Sequence, residues 1–216
     1  MTIDSQQVIQ AIQETLYMVS FSLVIGSLFG IPMGILLVVT RKGGILAKGI
    51  IFSIVNHVIN IFRSLPFIIL LIAIIPFTRI VVGTSIGTSA AIVPLIVYIA
   101  PYIARLVESS LLEVDDGIIE AAEAMGATPL QIIWHFLLRE ASSSLILNLT
   151  TATIGLIGAT AMAGTVGGGG IGDLAISYGY ERFDTVVIIV TVVILIIFVQ
   201  IIQSLGNMLS LRIRRH

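Results

Sequence analysis

Four uncharged runs, Thr15–Thr40, Ile80–Ala104, Ala141–Gly172 and Thr185–Leu211, dominate the hydrophobic pattern of the chain. A fifth apolar stretch, Gly49–Thr78, is interrupted only by His57 and Arg63. Roughly 20 mostly apolar residues suffice to cross the hydrocarbon core of a bilayer. The pattern therefore predicts an all-α membrane protein with five transmembrane helices, at about 15–40, 54–78, 81–104, 143–166 and 185–208, in one domain over 13–208. Between the third and fourth helices the pattern changes. Residues 115–139 are polar, rich in small side chains, and carry helix-end signals of their own.

Asp115 and Asp116 suit a helix start and complement the positive end of the helix dipole. The run Ile118 to Met125 holds no helix breaker, and Gly126 is placed to close it as a left-handed C′ residue. Thr128-Pro129-Leu130-Gln131 then reads as a second start, with Thr128 as N-cap, Pro129 at N1 and Gln131 completing a capping box. Ile132, Ile133, Phe136 and Leu137 give the second helix an apolar face. Two short helices at the membrane surface, bent at 126–128, are expected.

Other positions stay open between two readings. Gly26, Gly30 and Gly34 share a face of the first span, where small residues let helices approach closely, within the chain or between chains. Pro32 in the same span is expected to kink it. Thr151, Gly155, Ala159 and Ala163 form a similar stripe in the fourth. Arg63 either faces a cavity or snorkels to the interface. Met162, just before the glycine run that starts at Gly164, either plugs a narrow pore with its flexible side chain or fills a packing gap. The glycine run itself favours unwinding.

Composition narrows the chemistry. The chain is 57% hydrophobic and only 11% charged, against about a quarter charged in soluble domains. There is no cysteine, and the net charge of −1 argues against a nucleic-acid partner. Asp4 and Glu14, with no Lys or Arg before the first span, do not fit a cleaved signal peptide, so that span is expected to persist. Lys and Arg near helix ends set orientation. Arg41, Lys42, Lys48, Arg105, Arg139, Arg212, Arg214 and Arg215 fall on one side and only Arg79 and Arg182 on the other. This predicts an external N-terminus, with residues 115–139 and the C-terminus in the cytoplasm.

No long span contains an Asp or Glu, the groups that carry protons and cations in ion-coupled transporters. Gly167, Gly169 and Gly172 match G-x-G-x-x-G only formally, because no strand precedes them. No Gly-Lys-Ser/Thr phosphate loop exists, nor any nucleophile–base constellation. His57, His135 and His216 stand in no metal-ligand spacing. The chain is expected to form a pathway powered from elsewhere, and not to be an enzyme.

Glu120-Ala121-Ala122, Gly126 and Leu138 follow the pattern E-A-A-x3-G-x9-I-x-L-P, with Phe136 in place of Ile and Arg139 in place of Pro. The segment thus resembles the coupling (EAA) loop of type I ABC importer permeases. Ser64-Leu65-Pro66-Phe67, Ile75-Pro76-Phe77-Thr78-Arg79, Glu120 through Gln131, Ala161-Met162-Ala163-Gly164 and Tyr178-Gly179-Tyr180 are similar to the permeases of methionine importers in particular. The resemblance implies a multi-pass subunit of the bacterial cytoplasmic membrane that translocates methionine by alternating access. Two copies of a cytoplasmic ATPase would hold the ATP and Mg, leaving no cofactor in this chain. A second copy of the permease and an extracytoplasmic methionine-binding lipoprotein complete the implied assembly, with membrane lipid around it. Glu120, Ala121, Ala122, Glu123 and Gly126 are the implied ATPase-docking residues, and Met162, Gly164 and Arg63 the candidate gate and pathway residues. A permease for another small solute, or a channel or scaffold subunit needing no ATPase, remain the alternatives.

Overall fold

A computed structural model describes residues 4–214; Arg215 and His216, used above in reading the tail charge and the histidines, lie outside them. Among the described residues the secondary structure is helical throughout. The helices are α1 (Ser5–Thr40), α2 (Gly49–Ser64), α3 (Phe67–Ala73), α4 (Ile75–Val82), α5 (Thr88–Leu112) and α6 (Asp116–Ala124). They continue with α7 (129–140, π-helical over Ile132–Leu137), α8 (Ser142–Gly164), α9 (170–180, π-helical over Ala175–Tyr180) and α10 (Thr185–Arg214). Four of these, α1, α5, α8 and α10, are long and apolar enough to cross a membrane.

The second predicted span is broken, α2 and α3 together making a fifth candidate crossing. Residues 54–78 do not form one helix: α2 and α3 meet at 102°, and α4 follows after Ile74. Leu65 precedes a proline and takes extended φ,ψ of −88°, 126°, because proline disfavours the α region for the residue before it. Pro66 also has no N–H to continue the ladder. The third span is displaced as well. Ile80–Val82 close α4, and Gly83 and Gly87, both at positive φ, carry the chain into α5. That helix then passes Ala104 for two further turns, since Arg105 and Glu108 pair along its side at i, i+3.

The core is the line of contact between α1 and α5. Gly26, Gly30 and Gly34 lie against Ile99, Ala100, Ile103, Ala104 and Val107. A Cβ at Gly30 would stand 2.6 Å from the Ala100 carbonyl oxygen, and one at Gly34 2.6 Å from that of Ala104. The glycine face is therefore filled from within the chain, which resolves the two readings left open above. α1 stays one helix through Pro32. Its 36 residues reach roughly 54 Å at the α-helical rise, well beyond the hydrocarbon core. The surplus N-terminal turns pack through Ala11 on Ile171, Leu174 and Val187.

The loops sort into two sides. On one, the α1–α2 loop, α6, α7 and the end of α10 gather, with Arg41 beside Asp116 at 3.9 Å and Ser143 Oγ hydrogen-bonded to Ser210 Oγ at 2.7 Å. On the other, the Gly87 N–H donates to the Gly167 carbonyl at 2.9 Å and the Gly170 N–H to Glu14 at 2.8 Å. Replacing Gly30 with Leu should separate α1 from α5 and destabilise the protein by about 2 kcal/mol or more. Gly49→Ala, where a Cβ meets nothing within 4 Å, should leave thermal unfolding in detergent unchanged.

Candidate functional site: the coupling surface and the open face of α8

The polar segment folds as its end signals require. Asp115 caps α6, its carboxylate accepting from the Gly117 N–H at 2.8 Å. At the far end Gly126 has φ 78°. The Ala127 N–H reaches back to the Ala122 carbonyl at 3.0 Å and that of Gly126 to Glu123 at 2.9 Å, so that two otherwise orphaned carbonyls are satisfied. The Thr128 capping box is present: its N–H donates to Gln131 Oε1 at 2.8 Å, and its Oγ1 accepts from the Gln131 N–H at 3.4 Å. The result is a helix–turn–helix with a fixed bend.

Glu120, Ala121, Glu123 and Gly126 are exposed on this unit. Glu120 and Glu123 border a cleft of about 570 Å³ whose opposite wall carries Arg41 and Lys42 from the α1–α2 loop. Ala122 departs from the expected docking set. It is fully buried in the same apolar cluster as Leu111, Val114, Ile132 and Leu137, so its side chain offers no surface to a partner. Its small size instead lets α6 lie down on its own chain. Three apolar side chains that the family pattern does not name, Met125, Leu130 and Trp134, are 63–70% exposed on the same unit. A large aromatic left in the open on a polar helical unit is the kind of feature found at interaction surfaces. The signal was in the sequence, since Leu130 and Trp134 are four residues apart on one helix.

From this surface α7 runs into α8 with a single turn residue, Ala141, between them. With Arg139 in place of the family proline, helical hydrogen bonds run on through Ala141, its N–H donating to the Leu137 carbonyl at 3.0 Å and its carbonyl accepting from the Leu145 N–H at 2.8 Å. The stripe expected on α8 divides. Ala159 and Ala163 are buried inside the chain, while Thr151, Gly158 and Met162 are exposed with Leu147. A Cβ on Gly155 or Gly158 would meet nothing within 4 Å. The open face is thus 147–151–155–158–162, and Met162 stands at its end. Gly164 is not on it. A Cβ there would come within 2.6 Å of the Gly172 backbone, so this glycine permits the tight hairpin between α8 and α9. Arg63 is exposed at the last turn of α2, and its guanidinium has no hydrogen-bond or ion-pair partner among the described residues. The structure does not bring Arg63, Met162 and Gly164 together in one site.

Two polar ties went unrecognised in the sequence. Arg105 on α5 donates to Asn56 and Asn60 of α2, each at 2.7 Å, and pairs with Glu108. Asn56 and Asn60 sit one turn apart, which was the available signal. The other tie is at the glycine run, where Glu14 accepts from Gly170 and Thr15 Oγ1 accepts from the Ile171 N–H at 2.9 Å. Both fix irregular or charged groups that an apolar medium penalises when unpaired. Arg105→Met leaves Glu108 without its counter-charge and should cost about 3 kcal/mol, read as a lower midpoint in denaturant titration, with Asn60→Leu costing less.

Comparison with known proteins agrees with this architecture. The family described as "Binding-protein-dependent transport system inner membrane component" matches residues 26–215. The "Probable D-methionine transport system permease protein MetI" of Vibrio cholerae is 49% identical over 211 residues, covering 98% of this chain and 94% of that protein. The corresponding Escherichia coli K12 protein is 52% identical over 156 residues, 72% of each chain. Among solved structures, a chain of the inward-facing MetNI methionine ABC transporter superposes with a TM-score of 0.95 at 46% identity, over 97% of both chains. A chain from an amino acid ABC transporter shares the fold at a TM-score of 0.80 and 18% identity, over 98% of this chain and all of that one. The chain belongs to the family of inner-membrane components of binding-protein-dependent transport systems.

Proposed function

We propose that this permease carries methionine across the cytoplasmic membrane as a homodimer driven by two copies of a separate ABC ATPase. The observation that carries the reading is the likeness to the methionine transporter chain, which extends over nearly the full length and includes the coupling unit. In this reading α6 and α7 seat in the ATPase. Glu120 and Glu123 meet its polar or basic groups, Met125, Leu130 and Trp134 supply the apolar contact, and Ala121 and Gly126 allow close approach. Closure of the ATPase dimer on ATP displaces α7, and α8, continuous with it but for Ala141, carries the motion to Met162. The open face of α8 meets either the second copy or the solute, and a binding lipoprotein delivers the solute at the glycine-run side.

The sidedness follows from charge. Arg41, Lys42, Lys48, Arg105, Arg139, Arg212 and Arg214 share the side of the coupling unit, and the positive-inside bias makes that side cytoplasmic and the N-terminus external. Arg63, exposed and close to the break between α2 and α3, is read as a pathway or subunit contact.

Reconstituted with its ATPase and binding lipoprotein, the complex should accumulate labelled methionine in proteoliposomes only when ATP is supplied. Glu120→Lys should lower uptake at least tenfold per ATP hydrolysed. Uptake of a different amino acid with none of methionine would sink the substrate assignment, and unchanged coupling in the variant would sink the docking role. In the same vesicles Met162→Ala should raise ATP-independent methionine leak while basal ATPase activity stays as in the parent. Tight vesicles would assign Met162 to packing alone.

A further inference from the structure

Arg139 is one of the two positions where the coupling segment departs from its family pattern, and the fold makes no use of its charge. Among the described residues no hydrogen bond or ion pair engages the guanidinium; only the backbone is used, the carbonyl accepting from Ser142 Oγ at 2.7 Å. The residue lines a cleft of about 620 Å³ with His135 and Phe136 of α7 on one wall and Arg212 and Arg214 of α10 on the other. Glu140 is the one carboxylate in the lining, and neither ion pair among the described residues involves it. Arginines in the last turn of α10 suit the negative end of its dipole. That accounts for Arg212 and Arg214, but not for a third guanidinium facing them from another helix. Three guanidiniums against the single Glu140 carboxylate leave the lining net positive, a charge that a bound anion would offset.

The surroundings say what kind of anion. Directly before the cleft, α10 exposes Leu205, Met208, Leu209 and Leu211. An apolar helix face thus runs down to a basic pocket at the polar boundary. A soluble anion or an acidic protein segment would have no use for that wall. An amphiphile with a phosphate head matches both parts, since guanidinium forks take phosphate oxygens in pairs. We infer that this cleft holds the headgroup of an anionic phospholipid from the adjoining leaflet, its acyl chains lying along α10 and its phosphate among Arg139, Arg212 and Arg214. The inference rests on the proposed orientation only for naming that leaflet the cytoplasmic one, and not on the substrate.

The test is lipid binding by the intact complex with its ATPase, delipidated in neutral detergent and titrated with phosphatidylglycerol or phosphatidylcholine under native mass spectrometry. Phosphatidylglycerol should bind at least tenfold more tightly. Each juxtamembrane basic residue contributes about fivefold, so Arg139→Gln should weaken binding about fivefold. The triple Arg139→Gln, Arg212→Gln, Arg214→Gln variant should fall about a hundredfold, to the phosphatidylcholine level, and the triple Lys variant should keep the preference. Arg182→Gln, on the opposite side, should change nothing. Equal affinity for the two lipids, or a triple Gln variant that binds as the parent does, overturns the inference. So does glycerol phosphate competing as well as intact lipid, which would make this a soluble-phosphate site. Loss of the ATPase from the triple variant with lipid binding intact overturns it too, and assigns the arginines to the protein interface. Methionine uptake enters none of these readouts, so the two proposals fail separately.

Discussion

The close approach of α1 to α5 is the constraint on which the remaining helices depend. In lipid the hydrophobic effect does not press helices together, so their association relies on packing and on polar contacts. Three glycines at four-residue intervals remove the side chains from one stripe of α1, and the backbone carbonyls and β-branched residues of α5 enter that space. Both helices are then held over several turns, and α5 offers its other faces to α2, α3 and α8. Phe67 at the start of α3 meets Tyr98 of α5 edge-on, with ring centroids 5.1 Å apart. Asn148 of α8 donates to Ser110 of α5 at 2.7 Å. Without the α1 contact there is no fixed α5 for these to dock on.

The same arrangement explains why polar groups sit where they do. Arg105 lies near the coupling end of α5 and draws α2 in through two asparagines. Glu14 and Thr15, at the other end of α1, hold the N–H groups that the glycine run leaves free. The membrane-spanning middle is tied by shape and the two ends by hydrogen bonds. α8, with one face packed and one open, and α10, which is mostly uncovered, are attached less firmly than the α1–α5 pair.

How much of this was legible in the sequence depended on how local the determining physics was. The ends of α6 and the bend into α7 are set by residues within four positions of one another, and both the glycine C′ position and the Thr128–Gln131 box could be read directly. The fifth span was delimited by charge, and the fourth by charge at its start and by the glycine run at its end. The second span was not, because an apolar run does not say whether Pro66 bends a helix or breaks it. The third was displaced because Ile80–Val82 are as apolar as the helix that follows. For the candidate site, the exposure of Glu120, Glu123 and Gly126 accords with the pattern, while the burial of Ala122 depends on Leu111 and Ile132, which periodicity cannot bring together. Arg105 was missed for the same reason: its partners lie 45 and 49 residues away. The glycines of α1 were seen, but no single sequence says which helix fills them.

Chain order gives the glycine face one more consequence, in biogenesis. α1 ends at Thr40 and its partner at Leu112, so the groove reaches the bilayer before the helix that fills it has been made. At about 5–20 residues per second, the gap lasts several seconds. During that time the narrow face of α1 is open to lipid, to insertion machinery or to another nascent helix with small residues. The interval is bridged by α2, α3 and α4, short segments that need not settle until α5 arrives. The break at Leu65–Pro66 falls within this interval, so none of the chain made between α1 and α5 is a single straight span.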